Sequence, residues 1–135
     1  MTTRYKCSAS FVIYNKELLV KKAMKFLHTE SKCISITDKI TLYEYCENTS
    51  KLPIDGAYAC INGPYGPKIN KTFSELFFII SGKFEIEVDN QIHELNAKDM
   101  FIVPPNTKHR ILGDACEVFI SCSPQFNEND VEYCD

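Results

Sequence analysis

The sequence predicts an all-β protein, an antiparallel sandwich or barrel. From residue 33 onward the chain divides into short apolar or alternating runs, separated at near-regular spacing by turns rich in Gly, Pro, Asn and Asp. Residues 83–88 alternate strictly, with Phe84, Ile86 and Val88 on one face and Lys83, Glu85 and Glu87 on the other, the period of a half-buried strand. No stretch repeats at the 20–50-residue period of a solenoid or propeller.

Taken in order, residues 1–10 read as a polar arm or edge strand, and 11–14 as a short apolar run. Asn15 is placed to cap a helix over 16–28, with an apolar stripe beginning at Leu18 and Leu19; the alternative is a strand-turn-strand with 18–20 extended. Strands are then expected at 33–36 and 40–46. In the second, Ile40, Leu42 and Glu44 share one face and Thr41, Tyr43 and Tyr45 the other. Residues 47–55 form a polar loop ending at Asp55-Gly56, 57–61 a strand with Tyr58 and Cys60 on one face, and 63–67 a Gly/Pro turn. A polar segment leads to Glu75, followed by the apolar run 76–80 and a closing turn at Ser81-Gly82. Beyond 83–88 come a tight Asp89-Asn90 hairpin, a returning strand at 91–95, a turn at 96–99 and a strand at 100–103. Pro104-Pro105-Asn106 stops that strand, and two more follow at 108–112 and 117–122. The polar, acidic tail after Pro124 reads as a surface extension or flap. The expected organisation is one domain: an arm and helix over 1–30, a barrel over 31–124 and an acidic tail over 125–135.

Bulk properties narrow the function classes. A chain of 135 residues fits one domain with a real core. The net charge of −3 and the scattered basic residues supply no electrostatic footprint for nucleic acid. No apolar run approaches a membrane span of about 18 residues. Residues 1–10 lack the apolar centre of a secretory signal, so a cytoplasmic location is expected. The seven cysteines are odd in number and contain no Cys-x-x-Cys pair, which points to reduced thiols rather than a disulfide framework or zinc ribbon. No glycine-rich nucleotide loop, Gly-x-Ser-x-Gly or His-Glu-x-x-His occurs.

The organising stretch is 63–82, GPYGPKINKTFSELFFIISG. Glu75 stands at the entrance to the most hydrophobic run of the chain, where a carboxylate is costly unless paired, hydrogen-bonded or bound to a cation. A second stretch, KDMFIVPPNTKHRILG over 98–113, ends a strand in Pro-Pro-Asn and places His109 three residues after the asparagine. Together the two resemble the paired motifs of the cupin superfamily. Glu75 and Gly82 match the first motif's glutamate and closing glycine. Pro104, Asn106 and His109 fall on the second motif's proline, glycine and histidine, and Lys98 on its opening glycine. The chain is similar to small single-domain cupins with a degenerate first motif. The resemblance implies a cupin-type antiparallel β-barrel (a double-stranded β-helix or jelly roll), often paired as a homodimer.

The first motif's two histidines are absent. Their positions hold Lys68 and Asn70, or Ile69 and Lys71, depending on spacing. Of the three histidines and one glutamate of a usual cupin metal site, Glu75 and His109 remain. With Asn70 they are the candidate ligands of a weakly held divalent metal, the alternative being a metal-free pocket. Alternation that turns Ile69 and Lys71 outward turns Lys68 and Asn70 inward, where Lys68 is expected to pair with Glu75. Glu75 and His109 are the candidate catalytic acid/base pair. Lys68 and Asn70 are the candidate substrate-binding polar groups, and Phe77, Phe84 and Phe101 are core aromatics, some of which wall an apolar pocket. His28 and His93 are expected at the surface, and Cys60 lacks a histidine partner for nucleophilic work. Three functions follow: proton-transfer chemistry (isomerase, epimerase or lyase) on a sugar or organic acid, a non-catalytic ligand-binding module, and a divergent metal-dependent enzyme of oxygenase type.

Overall fold

The computed structural model describes residues 23–46 and 52–135. Ten antiparallel strands lie within them: β1 (Lys32–Thr37), β2 (Ile40–Glu44), β3 (Ala57–Ile61), β4 (Tyr65–Asn70), β5 (Ser74–Val88), β6 (Gln91–Asn96), β7 (Met100–Val103), β8 (Lys108–Ile111), β9 (Cys116–Ser123) and β10 (Val131–Tyr133). They form one curled sheet with β5 as its hinge. The first half of β5 pairs with β9 and β7, and β9 continues to β3, β2 and β1. Its second half pairs with β6 and β8, and β8 continues to β4 and β10. The two halves face each other across a shared core, giving the expected all-β barrel.

Period-2 alternation decides what enters that core. Phe77 and Ile79 from the first half of β5, and Phe84 and Ile86 from the second, are fully buried. The rings of Phe77 and Phe84 stack at 5.1 Å. Ala57, Ala59 and Ile61 turn inward on β3, which places Tyr58 and Cys60 on the outer face. Outside, the Tyr58 hydroxyl donates to Glu117, Ser81 Oγ donates to the other oxygen of the same carboxylate at 2.6 Å, and Cys60 Sγ lies 3.6 Å from the Tyr58 hydroxyl.

Four expectations are corrected. Ser81-Gly82 is no turn: β5 runs through it, with a register shift between Ile79 and Ser81. Gly82 adopts φ +81°, and this bulge bends the strand from one half of the barrel to the other without interrupting it. The 63–67 turn is shorter than expected, because Tyr65–Asn70 is strand; Pro67 sits in its irregular part, between the paired residues Tyr65 and Lys68, where no ladder donor is required. The expected helix over 16–28 is absent from its described part. Residues 23–27 have no regular structure and His28–Glu30 is a single 3-10 turn. Met24 and Leu27 stay exposed, so the stripe has no surface to pack on, which is what stabilises short helices. Residues 1–22 and 47–51, including the expected strand at 11–14, lie outside the described residues. Finally, Val131–Tyr133 is no free flap: it pairs with β4 as an edge strand.

The bulge yields a direct test. A Cβ on Gly82 would stand 2.1 Å from the Ala115 carbonyl oxygen and 2.8 Å from Cys116 Cα, at a φ that other residues resist. Gly82→Ala is expected to cost at least about 2 kcal/mol in urea unfolding. A value near zero would show that β5 turns the corner by another means.

Candidate active site in the barrel

Glu75 is the first inward residue of β5, next to its start, and it points across the barrel at the opposite half. There β4 presents Lys68 and Asn70 on its inner face and β8 presents His109, with Lys68 and His109 directly opposite in register. All four side chains are buried: Glu75 is 6% exposed, Lys68 7%, His109 2% and Asn70 1%. They converge on one oxygen. Glu75 Oε1 lies 3.6 Å from Lys68 Nζ, 3.3 Å from His109 Nε2, and accepts from Asn70 Nδ2 at 3.2 Å. Lys68 Nζ also sits over the Tyr65 ring, 5.4 Å from its centroid.

The tautomer of His109 follows from its other nitrogen. Nδ1 is 3.0 Å from the Thr107 carbonyl oxygen, which can only accept, so Nδ1 carries a hydrogen. Nε2 is then the ring nitrogen that faces the Glu75 carboxylate. Nε2 makes no hydrogen bond of full geometry, and neither does Asn70 Oδ1. Burial is the largest single influence on Glu75 and acts upward. The Lys68 ammonium, then His109, then Asn70 act downward and together prevail, holding the carboxyl below its ordinary range. Glu75 is therefore ionised in the resting protein.

The cluster forms one wall of a cavity of about 680 Å³. Lys68 and Glu75 face it, with Phe77 beside them. His109 and Asn70 do not line it; they lie behind Glu75 and reach the cavity only through its carboxylate. Phe84 stacks behind Phe77 within the core, and Phe101 packs at the core's edge against the His93 ring at 5.0 Å. Neither belongs to the lining. The inner face of β2 does, through Ile40, Leu42 and Glu44. His28 is exposed on the outer surface, its ring tilted against that of Tyr43 with centroids 4.8 Å apart. Cys60 is likewise on the outer face.

Sequence reasoning missed several polar residues of the lining. Asp55 is one; its carboxylate accepts the backbone N–H groups of Cys122 at 2.7 Å and Phe126 at 2.8 Å. Burial, the largest influence, pushes its carboxyl up, and the Glu75 charge adds to that. Tyr65, Glu128 and Tyr133 are among the others. Asp55 was hidden inside an Asp-Gly turn signal, Tyr65 inside a Gly/Pro turn, and Glu128 and Tyr133 in a tail too short to show alternation.

A divalent metal fits these donors poorly. Glu75 Oε1 and His109 Nε2 are two suitable atoms at suitable spacing, but the ammonium of Lys68 holds the position a cation would take, and Asn70 turns its amide nitrogen toward the carboxylate. Among the described residues no group of three or more His, Cys, Asp or Glu gathers as a metal site. The six cysteines there (Cys33, Cys46, Cys60, Cys116, Cys122 and Cys134) are free thiols. No helix among the described residues is long and apolar enough to cross a membrane.

Comparison with known proteins agrees with this architecture. Residues 64–119 match the family model described as "Cupin domain". No curated protein sequence matches the chain. Streptomyces Pac13 with uridine superposes with a TM-score of 0.75 at 21% identity, over 84% of this chain and 92% of that one; Pac13 is described as a nucleoside dehydratase. KdgF from Halomonas sp. superposes with a TM-score of 0.66 at 16% identity, over 80% and 99%. An RmlC-like cupin from Shewanella frigidimarina gives 0.63 at 18%, over 79% and 96%. The chain has the cupin fold, and the stretch that matches the family model lies within it at residues 64–119.

The ion pair can be tested through stability. Lys68→Met leaves a buried carboxylate with less compensation and is expected to cost about 3–5 kcal/mol near neutral pH. Adding Glu75→Gln should recover part of that loss, so the double-mutant cycle is non-additive. The pH dependence has a definite sign. Glu75 binds its proton more weakly folded than unfolded, so its contribution is complete above the ordinary value of 4.5 and is lost as pH falls through the lower folded value. Urea titrations across the acid range should therefore show a shallower acid loss for Glu75→Gln than for the wild type. Identical slopes would remove Glu75 from this role.

Proposed function

We propose that the protein binds a small anionic or polar molecule in the barrel and performs proton-transfer chemistry on it, of isomerase, epimerase or lyase type. The observation that carries this reading is the Lys68–Glu75 pair: two opposite charges, each nearly buried, facing one cavity with an imidazole behind the carboxylate. Perturbed, desolvated charges at a cavity wall are the usual setting of acid/base chemistry. The cupin domain and structural neighbours that include a nucleoside dehydratase support a ligand-binding barrel.

The roles follow from charge. Lys68 engages an anionic or carbonyl group of the ligand. An anion drawn to the ammonium offsets the charge that holds Glu75 low, so binding raises the basicity of the carboxylate when substrate arrives. Glu75 then takes a proton from the carbon next to the polarised group and returns it elsewhere on the molecule or to a leaving hydroxyl. His109 acts through Glu75 by holding or sharing that proton at Nε2, its ring fixed by the Nδ1–H bond to Thr107. Asn70 orients the carboxylate. No step is assigned to a metal.

A specific observation favours a second reading. In the ligand-free state the depressed carboxyl is a weak base, which suits a binding module without turnover. Proton exchange separates the two. Candidate sugar acids, nucleosides and hydroxy acids are incubated in D2O and followed by NMR. The enzyme reading expects deuterium at one carbon-bound position of a ligand, with Glu75→Gln slowing incorporation by about 10²–10⁴-fold and His109→Ala slowing it less. Binding without exchange selects the module; exchange that survives Glu75→Gln in full overturns the site assignment.

The assembly we propose is a homodimer in the cytoplasm. Phe78, Met100, Ile102 and Phe119 form an exposed apolar face on neighbouring strands β5, β7 and β9, which supports self-association. Light scattering at micromolar concentration should give twice the chain mass; a monomer overturns it.

A further inference from the structure

The tail after Pro124 builds part of the cavity. Gln125, Phe126, Asn127, Glu128 and Tyr133 all line it. Two anchors hold them there. The Asp55 carboxylate grips the start of the tail through the backbone N–H groups of Cys122 and Phe126. At the far end β10 pairs with β4, setting Tyr133 opposite Lys68, and the Cys134 N–H donates to the Pro67 carbonyl at 2.9 Å.

The polar groups at this end are ordered. The Tyr65 hydroxyl donates to the Tyr133 hydroxyl at 3.2 Å, and the Tyr133 hydroxyl donates to Glu128 Oε1 at 2.9 Å. Both hydrogens run toward the carboxylate, so the chain ends in an acceptor. A carboxylate offers about four acceptor positions, and Tyr133 uses one. Tyr133 is 54% exposed and Glu128 is exposed, whereas Lys68 and Glu75 are buried. The cavity thus has the Lys68–Glu75 ion pair in its depth, apolar walls from Ile40, Leu42 and Phe77, further carboxylates at Glu44 and Asp55, and hydrogen-bond acceptors at its mouth.

We propose that Tyr65, Tyr133 and Glu128 form a rim that reads the hydroxyl groups of a ring whose carboxylate is held by Lys68, so that the ligand class is a cyclic polyhydroxy acid. This rests on the ligand-binding reading above and narrows it. Hydroxyls on the ring edge away from the carboxylate donate to Glu128 and exchange hydrogen bonds with Tyr133. A ring acid without hydroxyls gains nothing there. A dicarboxylate is disfavoured, because its second charge meets Glu128.

Two acids of matched ring size test this: D-galacturonate, which carries hydroxyls, and cyclohexanecarboxylate, which does not. Calorimetric titrations are run on the wild type, Glu128→Gln, Tyr133→Phe and Lys68→Met, each first shown to keep cooperative unfolding. The wild type is expected to bind galacturonate at least about tenfold tighter than cyclohexanecarboxylate. Glu128→Gln and Tyr133→Phe should each erase most of that difference by weakening galacturonate alone, and Lys68→Met should weaken both acids. Rim variants that leave galacturonate unchanged, or weaken both acids equally, overturn the rim while leaving the barrel reading intact. A Lys68→Met protein that binds both acids as tightly as the wild type overturns the barrel reading instead. A wild type that binds neither acid overturns both.

Discussion

A carboxylate from one half of the barrel and an ammonium from the other meet in its interior, and the rest of the site depends on that meeting. Removing either charge from water costs several kcal/mol. Each half therefore presents a group that it cannot bury alone. Glu75 reaches across from β5, and β4 and β8 answer with Lys68, Asn70 and His109. The contact ties the ends of elements that share no backbone pairing at this point. It also keeps one wall of the cavity charged while most of its surroundings are apolar.

That arrangement changes what a cupin barrel can do. A metal offers several coordination positions and a tunable Lewis acid. An ammonium offers a fixed positive charge and hydrogen-bond donors. In the proposed function, Lys68 captures an anion and Glu75 transfers the proton, with His109 acting one residue removed from the cavity. The tail extends the same logic to the mouth, where Tyr65, Tyr133 and Glu128 offer acceptors instead of a charge to hold.

Much of the barrel was legible because alternation is a local signal. The strict pattern of 83–88 and the apolar run 76–80 marked their strands, and inward Lys68 and Asn70 followed from period 2 once Ile69 and Lys71 were turned outward. What was misread has physical reasons. Ser81-Gly82 has turn residues, but a bulge uses the same conformational freedom as a turn. Tyr65 sits between glycine and proline signals that outweighed its own strand preference. The stripe at 16–28 has helical spacing, yet in its described part Met24 and Leu27 find nothing to cover them. The aromatics Phe77, Phe84 and Phe101 look alike in sequence, and their separation into one lining residue and two packing residues is a matter of strand position across the barrel.

The sequence by itself determined that the chain is an antiparallel sandwich or barrel and that Glu75 must find a cation or donors at the start of a buried strand. These are consequences of period and residue type, which act over a few neighbours; the choice of barrel and the two replaced motif histidines came from the cupin resemblance. Alternation had already pointed to Lys68 as the partner of Glu75; only the tertiary structure decided that His109 stands behind Glu75 rather than in the cavity, and that the tail supplies Glu128 and Tyr133 to the wall. Those facts depend on strand order and register between residues as far apart as Lys68 and Tyr133, and no local pattern records which strand will lie beside which.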